Sequence, residues 1–112
     1  MNVPDEEKYT YRVEWSPEDR SHIARCLEFP SLAAHGKDTQ AALNEIKFVV
    51  AETLAWMQEN GEVVPEPFSL KRFKGNLSLR ISPELHKALS IRSAEQGVSI
   101  NKYILARLST LL

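Results

Sequence analysis

The stretch Asn76-Leu77-Ser78-Leu79-Arg80-Ile81-Ser82-Pro83 decides the fold of this 112-residue chain. Its first six residues alternate strictly, with Leu77, Leu79 and Ile81 on one face of an extended segment and Asn76, Ser78 and Arg80 on the other. Ser82 then offers a side-chain oxygen to a helix N-terminus, and Pro83 suits the first helical position. A helix therefore starts here and runs to Gln96, where Gly97 stops it. Ser99 caps a second helix whose Ile100, Ile104, Leu108 and Leu111 make one apolar stripe. The C-terminal third reads as strand, helix, turn, helix.

A six-residue strand alone is unstable in water, and two short helices with one stripe each enclose too little core to hold it. The economical arrangement is a homodimer, in which two copies pair their strands and pack four helices beneath. Leu77, Leu79, Ile81, Leu85, Leu89, Ile100, Ile104 and Leu108 are then the expected dimerisation core. The paired ribbon would display Asn76, Ser78 and Arg80 twice, and a two-stranded ribbon fits the major groove of double-stranded DNA. These three are the expected base-reading residues, with Arg80 suited to guanine. The amino end of the second helix, at Ser99, Asn101 and Lys102, would hold a phosphate through backbone N–H groups, and Lys71, Arg72 and Lys74 would add general phosphate attraction. The simpler reading of the alternation is an edge strand with one wet face. Arg92 breaks the apolar or small character of the first helix, and if it points inward it needs a carboxylate partner or must snorkel out.

Charge supports two modules. The formal net charge is only -1, but residues 1–60 hold six basic and eleven acidic side chains, a net -5. Residues 71–112 hold eight basic against two acidic, a net +6, and Glu62 and Glu66 supply the remaining -2. Such a split suggests two surfaces with two kinds of partner.

In the acidic half, Tyr9, Tyr11, Val13 and Trp15 alternate with polar residues as a strand, Ser16-Pro17-Glu18-Asp19 turns, and His22 to Leu27 returns. Pro30 is expected to break that pairing, leaving Ala33 or Ala34 for a short third strand before the turn His35-Gly36-Lys37. Asp38 or Thr39 caps a helix over Thr39–Glu59, with Leu43, Ile46, Val50, Leu54 and Met57 at helical spacing and Asn60-Gly61 as its stop. Pro65 and Pro67 make the following segment a linker. The expected division is residues 1–66, a linker over 67–74, and residues 75–112.

No catalytic set emerges. Glu14 and Glu28 on the strands, Asp19 in the turn, and Glu45 and Glu52 on the helix form no convergent metal-binding cluster of the kind a nuclease needs, and Glu14 and Glu28 read as solvent-face residues. His22, His35 and His86 lack partners at ligand spacing and read as surface or hydrogen-bonded structural residues. Cys26 reads as a small buried hydrophobe, and Phe48 and Trp56, off the main helix stripe, as extra packing or an oligomer contact. No cofactor and no metal are expected. The N-terminus MNVPDEEK is acidic, no apolar run approaches a membrane span, and a single cysteine suits a reducing compartment, so a cytoplasmic protein without membrane contact is expected.

The segment Asn76 to Pro83, followed by Gly97-Val98-Ser99-Ile100-Asn101-Lys102-Tyr103-Ile104, resembles the ribbon-helix-helix family of dimeric repressors. Trp15 to Asp19, Cys26-Leu27-Glu28-Phe29-Pro30, and Gly36 with Thr39 extend the resemblance over nearly the whole chain to the HicB antitoxins. That resemblance implies an α+β chain: a small antiparallel sheet with one long helix, an incomplete ribonuclease H-like domain, then a ribbon-helix-helix domain. It implies that the first domain binds and inhibits HicA, a small mRNA-cleaving toxin. The second would dimerise and bind operator DNA, repressing its own operon and associating with the nucleoid there. The assembly is a dimer, or a tetramer if the first domains also pair. Two other readings are a stand-alone ribbon-helix-helix repressor with an N-terminal ligand-sensing or oligomerisation domain, and a ribonuclease.

Overall fold

A computed structural model describes residues 4–112, which form two compact units, one ending at Phe73 and one spanning Lys74–Leu112. The fold is α+β. A 3-10 turn, Glu6–Lys8, precedes three strands, β1 (Tyr11–Ser16), β2 (Ser21–Cys26) and β3 (Phe29–Gly36), and the long helix α1 (Thr39–Glu59). The second unit holds α2 (Pro83–Gln96) and α3 (Ile100–Leu108), closed by a 3-10 turn, Ser109–Leu111. Among the described residues no helix is long and apolar enough to cross a membrane.

The sheet is an antiparallel meander in the order β1-β2-β3. Tyr11 pairs with Cys26 and Ser16 with Ser21, and the connecting turn is tied by Ser16, whose Oγ donates to Asp19 Oδ2 at 3.2 Å and accepts from the Asp19 N–H at 3.3 Å. Arg20 closes that turn at φ 50, a left-handed conformation that costs a non-glycine residue about 1 kcal/mol.

The third strand departs from expectation because it runs straight through Pro30. Between β2 and β3 the pairing jumps from Cys26 with Phe29 to Arg25 with Ala33, so Pro30, Ser31 and Leu32 face no β2 residue. The missing N–H therefore costs no ladder bond, and β3 is an edge strand besides. The start of the sheet also differs: β1 begins at Tyr11, and Tyr9 is buried beneath it as the residue ending the 3-10 turn.

The core lies between the sheet and α1. Ala42, Ile46, Val50 and Leu54 form a buried line along α1, against Ala24, Cys26, Phe29 and Ala34 of the sheet and Tyr9 before it. Leu43 and Met57, expected in the same stripe, flank it half-buried. Asp38 caps α1, its Oδ1 accepting from the Ala41 N–H at 2.7 Å. Gly36 is required where β3 meets the helix, since a Cβ there would stand 2.2 Å from the Ala42 nitrogen.

Part of the segment read as linker is stitched to this unit. Pro67 is fully buried, the Tyr9 hydroxyl donates to the Pro65 carbonyl at 2.6 Å, and Ser69 Oγ donates to the Lys8 carbonyl at 2.6 Å. The second unit differs in kind. Ser93 and Tyr103 are its only buried residues among those described, and residues 71–82 carry neither helix nor strand ladder in the single chain.

Candidate dimerisation and nucleic-acid interface

Local chemistry places the helices of the C-terminal unit. Ser82 Oγ accepts from the Leu85 N–H at 3.2 Å with Pro83 in the first turn, and Gly97 ends α2 at φ 69. Ser99 Oγ accepts from the Lys102 N–H at 3.0 Å. These short caps turn α2 and α3 so that their apolar stripes face one hollow of about 450 Å3, lined by Leu77, Leu79, Ile81, Leu85, Leu89, Ile104 and Leu108. Seven of the eight residues expected in the dimer core thus converge. Ile100 is partly buried and does not line the hollow.

The hollow is open. Leu77 is 82% exposed and Leu79 70%, on a stretch whose backbone has no ladder partner in the chain. Asn76, Ser78 and Arg80 alternate with them and are exposed. Among the described residues, Lys71, Arg72, Lys74, Arg80 and Lys102 have no carboxylate within 4.0 Å, and the Lys71 ammonium sits 5.4 Å from the Phe73 ring centre.

The amino end of α3 needs one correction. The Lys102 N–H is taken by the Ser99 side chain and the Tyr103 N–H by the Ser99 carbonyl at 2.9 Å, so the N–H groups of Ile100 and Asn101 are the ones left to meet an anion. Asn101 also lines the apolar hollow. Arg92 is exposed and borders a separate hollow with Glu95, Tyr103 and Arg107, so it buries no charge. Arg107 is held there by its hydrogen bond to the Tyr103 hydroxyl at 2.8 Å.

In the N-terminal unit, Glu28 is not the solvent-face residue its strand position suggests. Its carboxylate accepts from the Thr10 N–H and the Thr10 hydroxyl, both at 3.0 Å, and from the Phe68 N–H at 2.9 Å. Burial acts to raise its pKa, but the hydrogen bonds from Phe68 and Thr10 outweigh it and hold the carboxyl below its usual value. Glu28 is a clasp joining the start of the sheet to the Pro67–Ser69 segment. Cys26 beside it is fully buried, and burial together with the Glu28 charge pushes its thiol up to about 11, far from a reactive thiolate.

Glu14 is exposed beside Arg12, and no group of three or more His, Cys, Asp or Glu side chains among the described residues could hold a metal ion. His35 lies 3.5 Å from Asp19. His22 packs edge-on to Trp15, and its buried Nδ1 has no hydrogen-bond partner, where a surface or hydrogen-bonded structural residue is expected. Phe48 and Trp56 are each 58% exposed on α1, so neither belongs to the core.

The HicB family model matches residues 57–108, from the last turn of α1 through the whole of α3. HicB is a toxin–antitoxin family. The sheet and most of α1 lie outside the matched residues. No curated protein and no solved structure matches the chain.

Proposed function

We infer, with the HicB family match over residues 57–108 as the premise, that this chain is the antitoxin of a toxin–antitoxin pair and the repressor of its own operon. Its N-terminal unit, a partial ribonuclease H-like domain, binds and neutralises a HicA-like mRNA-cleaving toxin. Its C-terminal unit is a ribbon-helix-helix domain that dimerises and binds operator DNA.

The observation that carries this reading is the open hollow formed by Leu77, Leu79, Ile81, Leu85, Leu89, Ile104 and Leu108. A second copy laid antiparallel along residues 76–81 would pair the free backbone groups and close the two hollows on each other. The same pairing puts Asn76, Ser78 and Arg80 of both copies on one outer face, with donors and acceptors for base edges. Ile100 and Asn101 N–H groups and Lys102 then stand at a helix end suited to a DNA phosphate. The -5 charge of residues 1–60 suits capture of an RNA-cleaving toxin, because a protein that grips RNA needs a cationic face.

A gel-shift titration on the DNA upstream of the gene tests the DNA half. Arg80→Ala is expected to weaken specific binding by about 1–3 kcal/mol, as for one base-reading contact, and unchanged binding removes Arg80 from the interface. Inhibition of RNA cleavage by the neighbouring toxin tests the other half.

A further inference from the structure

The outward face of α1 has no part in either unit's core. Glu45, Glu52 and Glu59 recur every seven residues and so form one line along the helix, opposite the buried line of Ala42, Ile46, Val50 and Leu54. Phe48 and Trp56 stand on the same face, both 58% exposed and about two turns apart, ~12 Å at 1.5 Å per residue. Trp56 and Glu52 border a shallow hollow of about 320 Å3 with Thr53. The single cation of α1, Lys47, is drawn away to Glu7 at 2.8 Å. Three carboxylates and two bare aromatic rings therefore share a helix face without a cation.

We propose that this face is where the N-terminal unit grips its toxin, with toxin Arg and Lys side chains pairing with Glu45, Glu52 and Glu59 and lying over Phe48 and Trp56. The inference rests on the toxin-capture reading and names its surface. Charge selects the occupant. A second copy of this chain in two-fold contact would set three carboxylates against three, and DNA or RNA would be repelled outright. A basic protein face reverses both terms, because carboxylates attract guanidinium and ammonium groups and aromatic rings stack beneath them. An anionic line flanked by flat rings also offers what single-stranded RNA offers its binders. Docking here would thus occupy the toxin cations that RNA needs, so inhibition would be competitive with RNA.

The test uses the full chain and the purified toxin from the neighbouring reading frame. With Trp15→Phe as background, Trp56 emission should shift to the blue on toxin addition. Glu45→Lys with Glu52→Lys, and separately Phe48→Ala with Trp56→Ala, should each weaken toxin binding by about 30-fold or more, the range of interface hot spots, while Glu14→Lys on β1 leaves it unchanged. Wild-type affinity should fall with salt more steeply than that of the double lysine variant. Toxin bound equally by all variants, with no Trp56 shift, overturns this inference and leaves the antitoxin reading standing. Loss of self-association in Phe48→Ala with Trp56→Ala, at unchanged toxin affinity, makes the face a contact between copies and overturns it too. A wild-type chain that does not bind the toxin overturns both.

Discussion

The two units solve the same problem differently. The N-terminal unit lays a three-stranded sheet against α1 and, among the described residues, buries nine core residues, from Tyr9 to Leu54, with Glu28 and Pro67 fastening the chain that leaves it. The C-terminal unit has two helices and an extended segment, and its leucines and isoleucines line an open hollow instead of a core. Two layers can cover each other's apolar faces, whereas two short helices beside one unpaired extended segment cannot. An interior that is closed within one chain makes a folding unit, and one left open makes a partner part of folding. The antitoxin reading uses both: a self-sufficient unit to meet a different protein and an insufficient one to meet a second copy.

The largest effect that could break this contrast is a matched pair of truncations. Ile46→Ala should cost about 2–5 kcal/mol, seen in calorimetric melting of the N-terminal unit. Leu79→Ala, at a site 70% exposed in the single chain, should cost a similar amount per copy and lower the dimer fraction in sedimentation. If Leu79 stays in water, its truncation changes stability by less than about 0.5 kcal/mol, and the C-terminal unit is then not a shared core.

Smaller, and confined to the N-terminal unit, is the Glu28 clasp. Glu28→Ala leaves the Thr10 and Phe68 N–H groups without their acceptor and should cost about 1–3 kcal/mol in denaturant unfolding. The wild type should show the matching acid dependence. The folded carboxyl has a lowered pKa, so its stabilisation is complete above the ordinary value of 4.5 and is lost as pH falls through the lower folded value. Glu28→Gln should flatten that part of the stability profile. The smallest expected change is Ser99→Ala, about 1 kcal/mol from removing the α3 cap, read as a lowered melting temperature of the C-terminal unit.

What was legible tracks the range of the forces involved. Ser82, Pro83, Gly97 and Ser99 bound α2 and α3 through contacts within a few residues, and the helix ends follow directly from them. The apolar periodicity of α1 was equally plain. Glu28 was misread because its partners, Thr10 and Phe68, lie 18 and 40 residues away, and no local pattern announces them. Pro30 was misread for a related reason. A proline excludes a ladder bond only where one is needed, and the bulge opposite Arg25 and Cys26 removes that need. The acidic and aromatic face of α1 was half visible, since the seven-residue spacing of Glu45, Glu52 and Glu59 is in the sequence, but the exposure of Phe48 and Trp56 is not.

By itself the sequence determined the helices, their caps, the alternation of Asn76–Ile81 and the charge split, because each depends on neighbours along the chain or on a simple count. Tertiary structure alone decided that Glu28 is a partly buried clasp, that β3 passes Pro30, and that the C-terminal apolar residues meet in one open hollow. Those outcomes depend on which distant groups desolvate one another, and burial is a property of the packed chain rather than of any stretch of it.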